Sequence, residues 1–522
     1  MKKREMFRFM AFGVLALLFL LLTACSESEH WSYEGPIMVT GGQVSGETQN
    51  DVFVFKGIPY AAPPVGDLRW KAPRDPYAWD GVKNTTEFAS ACPQYAGDGS
   101  VVGNENCLYL NVWRPKTEET NLPVYFWIHG GGNSMGTAST DFYSGRKIAT
   151  RSNMVVVTIN YRLGPLGWLT HPALRQGVNA SDDSGNYGTL DIIKALEWVR
   201  NNIKNFGGNP NNVTISGESA GAVDVFSMVM SPKSAGLFHK AISQSGGPST
   251  SSVEAGEAHA QTVLSKLLTS DGLGAVPGGD VGAYLRGKTA EQILKTYTVS
   301  SGTMLSGHVA VFRDGAVVHG GGFTGALAAG QYNAVPMIIG SNKEELKVFM
   351  APNFASYTAA SYQQTARRLT DASFKTPGVT NPATALTNIP GQPAVYAYEF
   401  LYGKYSHDEA YQPTGYNAWP TDYNGRNLAL IYGSSHALDL PFFWGNIYFF
   451  GQEGALFRED NRLGWEALTN AIMAYAAKFA YTGHPGNAGG VQWEPWSNTD
   501  GGPKRILLDA DDTKTIIVMS AE

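Results

Sequence analysis

The sequence predicts an α/β fold: a mostly parallel central sheet with helices on its faces. Three observations carry this. First, the apolar runs LPVYFWIH (Leu122 to His129), MVVVTIN (Met154 to Asn160) and NVTIS (Asn212 to Ser216) are bounded by turn residues. They lack the alternation of a half-exposed strand and read as strands buried on both faces. Second, the segment from Thr189 to Ile203 sets Leu190, Ile193, Leu196, Trp198 and Val199 at helix-like spacing and ends near the stop signal Gly207 and Gly208. Third, strand, helix and strand alternate, which is the order of a parallel sheet covered by its crossover helices.

Further along, VPMIIG (Val335 to Gly340) and VYAYEFLY (Val395 to Tyr402) are strand candidates, and GWEALTNAIMAYAAKFAYTG (Gly464 to Gly483) is helix-like. The Gly- and Ala-rich stretch from Gly315 to Gly330 reads as loop and turn. No fixed-period repeat and no domain boundary follows Cys25, so residues 36–522 are expected to form one domain.

The chain has 522 residues, 43% hydrophobic and 12% aromatic. Its 16% charged residues fall below the usual value of about 25%, which with the high apolar content excludes disorder. The net charge is −6 overall and −9 once Lys2, Lys3, Arg4, Glu5 and Arg8 are set aside, so no basic surplus exists to bind nucleic acid. Those five residues belong to a leader, residues 1–24: a basic start, an apolar stretch from Met10 to Leu22, then Leu22, Thr23, Ala24 and Cys25. The last four resemble a bacterial lipobox, which implies a lipid on Cys25, a polar tether over 25–35 and a body exported to the cell envelope. Arg8 interrupts the segment and leaves it short of the roughly 20 residues of a spanning helix. Cys92 and Cys107 then remain as an even, closely spaced pair, most simply a disulfide in an oxidising compartment. They have no His neighbour at ligand spacing, so no metal site is expected there.

Gly217, Glu218, Ser219, Ala220 and Gly221 match GxSxG between the strand NVTIS and a helix-like AVDVFSMVM. In that context a sharp strand-to-helix turn pushes Ser219 outward, and small neighbours are needed where the helix returns over the strand. The chain here resembles the type-B carboxylesterase and cholinesterase family of α/β-hydrolases over nearly all of its length after the leader. The resemblance is carried by FKGIPYAAPPVGDLRW (Phe55 to Trp70), NENCLYLNVW (Asn104 to Trp113), IHGGG (Ile128 to Gly132), INYRLGPLGWL (Ile159 to Leu169), FGGNPNNVTISGESAG (Phe206 to Gly221) and ISQSGG (Ile242 to Gly247). Within that family it resembles a bacterial lipoprotein member of the para-nitrobenzyl esterase-like carboxylesterases.

The resemblance implies a Ser219, Glu345, His436 triad. His436 lies in GSSHALDLPFFWG, which resembles the family's catalytic histidine segment, whereas His239 falls where the family has a structural helix and His407 lies in a polar run. Glu345 takes the acid's place in GSNKEELKVF, with Glu344 as the adjacent alternative. The N–H groups of Gly131, Gly132 and Ala220 are implied as the oxyanion hole, and Ser245 as a serine that hydrogen-bonds the acid. A second glycine run, His319 to Gly322, reads as a loop. Arg69 with Glu105, and Arg162 with Asp191, match structural ion pairs. The expected reaction is two-step acyl transfer on a small-molecule ester, without metal or organic cofactor and with no protein partner implied. Activity should fall as pH drops through roughly 6 to 7, where an ordinary imidazole gains its proton. Lipase, lactonase or thioesterase activity would use the same groups, and a non-catalytic binding role is the alternative from another class. The segment between Cys92 and Cys107 holds no tryptophan, so a choline-stacking site of the cholinesterase kind is not expected. Asn133 stands where the family has an aromatic, and Asp224 is an acid just after the nucleophile; both depart from the family pattern.

Overall fold

Side chains on a pleated strand point alternately to its two faces, and here both faces are covered. In the strand Leu122–Ile128, Val124, Phe126 and Ile128 enter one apolar core while Tyr125 and Trp127 enter a second. The strand Val155–Ile159 divides Val155, Val157 and Ile159 from Val156 in the same way. With a core on each side no polar face is needed, which accounts for the uninterrupted apolar runs.

The computed structural model describes residues 31–300, 303–403, 428–447 and 453–522. Its main sheet has eleven strands. In chain order they are β1 (Glu47–Gln49), β2 (Val52–Pro59), β3 (Tyr109–Pro115), β4 (Leu122–Ile128), β5 (Val155–Ile159), β6 (Gly208–Glu218), β7 (Lys240–Gln244), β8 (Met337–Asn342), β9 (Val395–Phe400), β10 (Arg505–Ala510) and β11 (Thr515–Ser520). Across the sheet the order is β11, β10, β9, β8, β7, β6, β4, β5, β3, β2, β1. Every step from β5 to β10 is parallel. The two edges are antiparallel: β1, β2 and β3 on one side and β11 on the other.

Helices α1 (Tyr187–Asn202) and α2 (Ala220–Met230) cover one face, burying Leu190, Leu196, Val225 and Phe226 in the first core. Helix α3 (Arg462–Thr482) covers the other through Leu468, Ile472 and Phe479. Two expectations change. The stretch from Gly315 to Gly330 contains a short helix, Gly322–Ala328, because Phe323 and Ala326 find a buried apolar surface there. The expected tether over 25–35 does not extend through its aromatic residues: Trp31 packs its ring on the Arg114 guanidinium and donates Nε1–H to the Asn205 carbonyl at 3.0 Å, and Tyr33 meets Phe55 edge to face.

Cys92 and Cys107 are joined in a buried disulfide. Arg162 and Asp191 form a fully buried bidentate pair at 2.7 Å, and Arg69 Nε donates to Glu105 at 2.7 Å. The leader, Cys25 and His407 lie outside the described residues. No helix among the described residues is long and apolar enough to cross a membrane.

Candidate active site

The parallel middle of the sheet delivers its strands' C-terminal ends to one edge, and the chemistry-bearing residues collect there. β6 ends at Glu218 and α2 begins at Ala220, so Ser219 alone makes the turn, at φ 58° and ψ −122°. A non-glycine residue holds such a conformation only when its surroundings fix it. Its N–H is held by the Gln244 carbonyl at 2.8 Å. A Cβ on Gly217 would lie 2.4 Å from the Gly221 carbonyl oxygen, and one on Gly221 would lie 2.1 Å from the Ile128 oxygen. The small residues flanking the serine are therefore dictated by backbone contact.

His436 stands on the loop after Gly433, between the rings of Phe349 and Phe374. Its Nδ1 is 2.6 Å from Glu345 Oε2, and Glu345 Oε1 accepts the Asn342 N–H at 2.6 Å. Both carboxyl oxygens of Glu345 are thus engaged, and the ring orientation is fixed. Glu344 points elsewhere: it pairs with buried Lys347 at 2.8 Å and accepts from Ser434 N–H and Gln363. The one-residue ambiguity in the sequence is resolved by direction, with Glu345 facing His436 and Glu344 facing Lys347.

Glu218 is the residue that sequence reasoning missed. Its Oε1 lies 3.0 Å from His436 Nε2, and the contact is not aligned as a hydrogen bond. The one available signal was its place as the last residue of β6, next to the nucleophile. Burial disfavours the His436 imidazolium, but the carboxylates of Glu218 and Glu345 outweigh this and raise its pKa to about 9. Burial raises Glu218 to about 8, opposed by His436. The acid limb expected near pH 6 to 7 accordingly moves up.

Gly131 takes φ 107°, where a Cβ would meet the Met135 carbonyl oxygen at 2.3 Å. That carbonyl approaches because the N–H groups of Ser134 and Met135 both bond the Gly131 oxygen. Gly132 and Ala220 line the same cavity as Ser219. Ala220 N–H is the first of α2, a position with no acceptor inside its own helix. Ser245 departs from expectation. It lines the cavity at φ 54°, and its hydroxyl is buried with no hydrogen bond to Glu345 or to any other described residue.

The cavity has a volume of about 840 Å³. Asn133, Phe374 and His308 line it, Arg313 is the charged residue on its wall, and the second glycine run borders it through Gly321 and Gly322. Among the described residues no group of three His, Cys, Asp or Glu side chains is gathered to hold a metal.

Comparison with known proteins identifies the family and the fold. The carboxylesterase family profile matches residues 34–365 and 353–516. Fumonisin B1 esterase of Sphingopyxis macrogoltabida is 38% identical over 324 residues, which are 59% of this chain and 56% of that protein, so the match spans just over half of it. Carboxylesterase 1D of Rattus norvegicus is 31% identical over 543 residues, covering 93% of this chain and 92% of its own. Among solved structures, a PNB esterase superposes with a TM-score of 0.73 at 29% identity over 94% of this chain and 98% of the other. The chain belongs to the carboxylesterase family, on an α/β-hydrolase fold.

Proposed function

We propose that the chain hydrolyses carboxylic esters of small molecules through an acyl-enzyme. Ser219 Oγ attacks the ester carbonyl carbon while His436 Nε2 takes its proton. The tetrahedral oxyanion is met by the N–H groups of Gly131, Gly132 and Ala220. His436 then protonates the departing alcohol, and water repeats the sequence on the acyl-enzyme to release the acid and free Ser219. Glu345 holds the ring and stabilises its charged form. The observation that carries this reading is the 2.6 Å contact of His436 Nδ1 with Glu345, on a ring whose other nitrogen faces the residue beside a strained serine.

The test is hydrolysis of p-nitrophenyl esters of increasing acyl length, with Ser219→Ala alongside. Cleavage by the parent and its loss in the variant support the reading. A folded parent that neither cleaves nor is labelled by a fluorophosphonate overturns it.

Residues 1–24 act as an export leader and Cys25 carries the lipid, with the body beyond residue 35 a single domain at the bacterial envelope. The leader's pattern and the disulfide support this. Metabolic labelling with a fatty acid that is lost in Cys25→Ala tests it.

A further inference from the structure

The two departures from the family pattern, Asn133 and Asp224, touch each other. Asn133 Nδ2 lies 3.3 Å from Asp224 Oδ1, and the other arm of the amide lies 3.2 Å from the Tyr161 hydroxyl. Tyr161 is in turn 2.6 Å from the carbonyl oxygen of His129. All four residues are buried, Asp224 and Tyr161 completely.

Counting protons along this row exposes a conflict. A phenol has one proton, and the shorter contact to the His129 carbonyl claims it. With the amide oxygen toward Tyr161, two oxygens face each other with no proton between them. Asp224 could then only accept from Asn133, and as a carboxylate it would be a charge inside the protein with Oδ2 unpartnered and no ion pair among the described residues. An unpaired buried charge of this kind is strongly disfavoured.

Both faults vanish together if the amide is turned end for end, which its near-equal nitrogen and oxygen permit without repacking, and Asp224 carries a proton. Asp224 then donates to the Asn133 carbonyl oxygen, the Asn133 NH2 donates to Tyr161, and Tyr161 donates to His129. Burial independently pushes the Asp224 carboxyl well above the ordinary carboxylate range, opposed by the bond to Asn133.

We propose that Asp224 is a neutral carboxylic acid and a positioning residue, which through Asn133 and Tyr161 fixes the oxyanion loop. His129 immediately precedes Gly130 and Asn133 immediately follows Gly132. Asp224 lies on α2, the helix whose first N–H is that of Ala220. The row therefore ties both ends of the glycine turn to the element that supplies the third donor. A neutral acid also keeps negative charge away from the place where the oxyanion develops, which a carboxylate would oppose. The inference rests on the esterase reading given above.

The test compares Asp224→Leu, which cannot donate, with Asp224→Asn, which can. In Asp224→Leu kcat should fall by about 10- to 100-fold while KM changes by less than about threefold, and Asp224→Asn should restore kcat to within about threefold. The parent should show an infrared band of a protonated carboxylic acid at neutral pH that is missing from Asp224→Asn. If Asp224→Leu does not fold, Asn133→Ala breaks the same row and should give the same loss of kcat. Three results would overturn the proposal: no acid band that disappears in Asp224→Asn, an Asp224→Asn loss of kcat as large as that of Asp224→Leu, or a row-breaking variant that melts earlier yet keeps kcat. Fluorophosphonate labelling of the parent separates the two readings. An unlabelled parent sinks the esterase reading, and a labelled parent whose acid bands are unchanged in Asp224→Asn sinks this one alone.

Discussion

His436 is held between two carboxylates, and that sets its pH behaviour. Its pKa is raised to about 9, so the ring gains a proton as pH falls through that value, and under the proposed mechanism it then cannot take one from Ser219. Glu218→Gln removes one of the raising charges and should move the acid limb of kcat/KM to lower pH by roughly one unit. A pH profile with an unmoved limb would show that Glu218 does not act on the ring. The neighbouring glutamates separate by experiment as well. Glu345→Gln should lower kcat by about 10³-fold or more while the fold persists, since the base loses its orienting charge. Glu344→Gln removes the carboxylate that pairs with buried Lys347, and should destabilise the chain by about 3 kcal/mol in a urea titration. If the two variants exchange these effects, the assignment is wrong. Sequence alone left the pair open because adjacent residues differ by which way they face, and spacing does not record that.

The strand-to-helix turn is the element on which the serine depends. A methyl on Gly221 would lie 2.1 Å from the Ile128 oxygen of the adjacent strand, and that oxygen belongs to backbone which cannot move aside. Gly221→Ala should therefore cost at least about 2 kcal/mol and abolish fluorophosphonate labelling, read by thermal melting and by gel. Retention of both would show that α2 can shift away from β4. This element was legible in the sequence because its requirement is local: a strand, a glycine, a serine and a helix in fixed order. The antiparallel edge was not. Lys56 and Arg114 interrupt the apolar runs of β2 and β3, so neither segment shows the uninterrupted pattern that marks β4 and β5.

At the scale of the whole molecule, the disulfide closes a loop of sequence separation 15 near the start of the sheet. Replacing Cys92 and Cys107 together by Ala should lower stability by about 3 kcal/mol and leave the kcat of the remaining folded protein unchanged. A double variant as stable as the parent would show that the loop is held by its packing alone. The sequence by itself determined the strands β4, β5, β6, β8 and β9, the helices α1, α2 and α3, the serine turn and the family, because these follow from apolar periodicity and from motifs whose parts are adjacent in the chain. Only the tertiary structure decided that Glu345 faces His436, that Glu218 stands at the ring's other nitrogen, that Ser245 does not reach the acid, and that Asn133 meets Asp224. Residues 133 and 224 belong to different elements, a loop after β4 and a helix after β6, and become neighbours because those two strands are adjacent in the sheet. One-dimensional periodicity carries burial and direction along a strand or helix. Contact between distant side chains, and the proton sharing that follows from it, exists only once the sheet has ordered the strands.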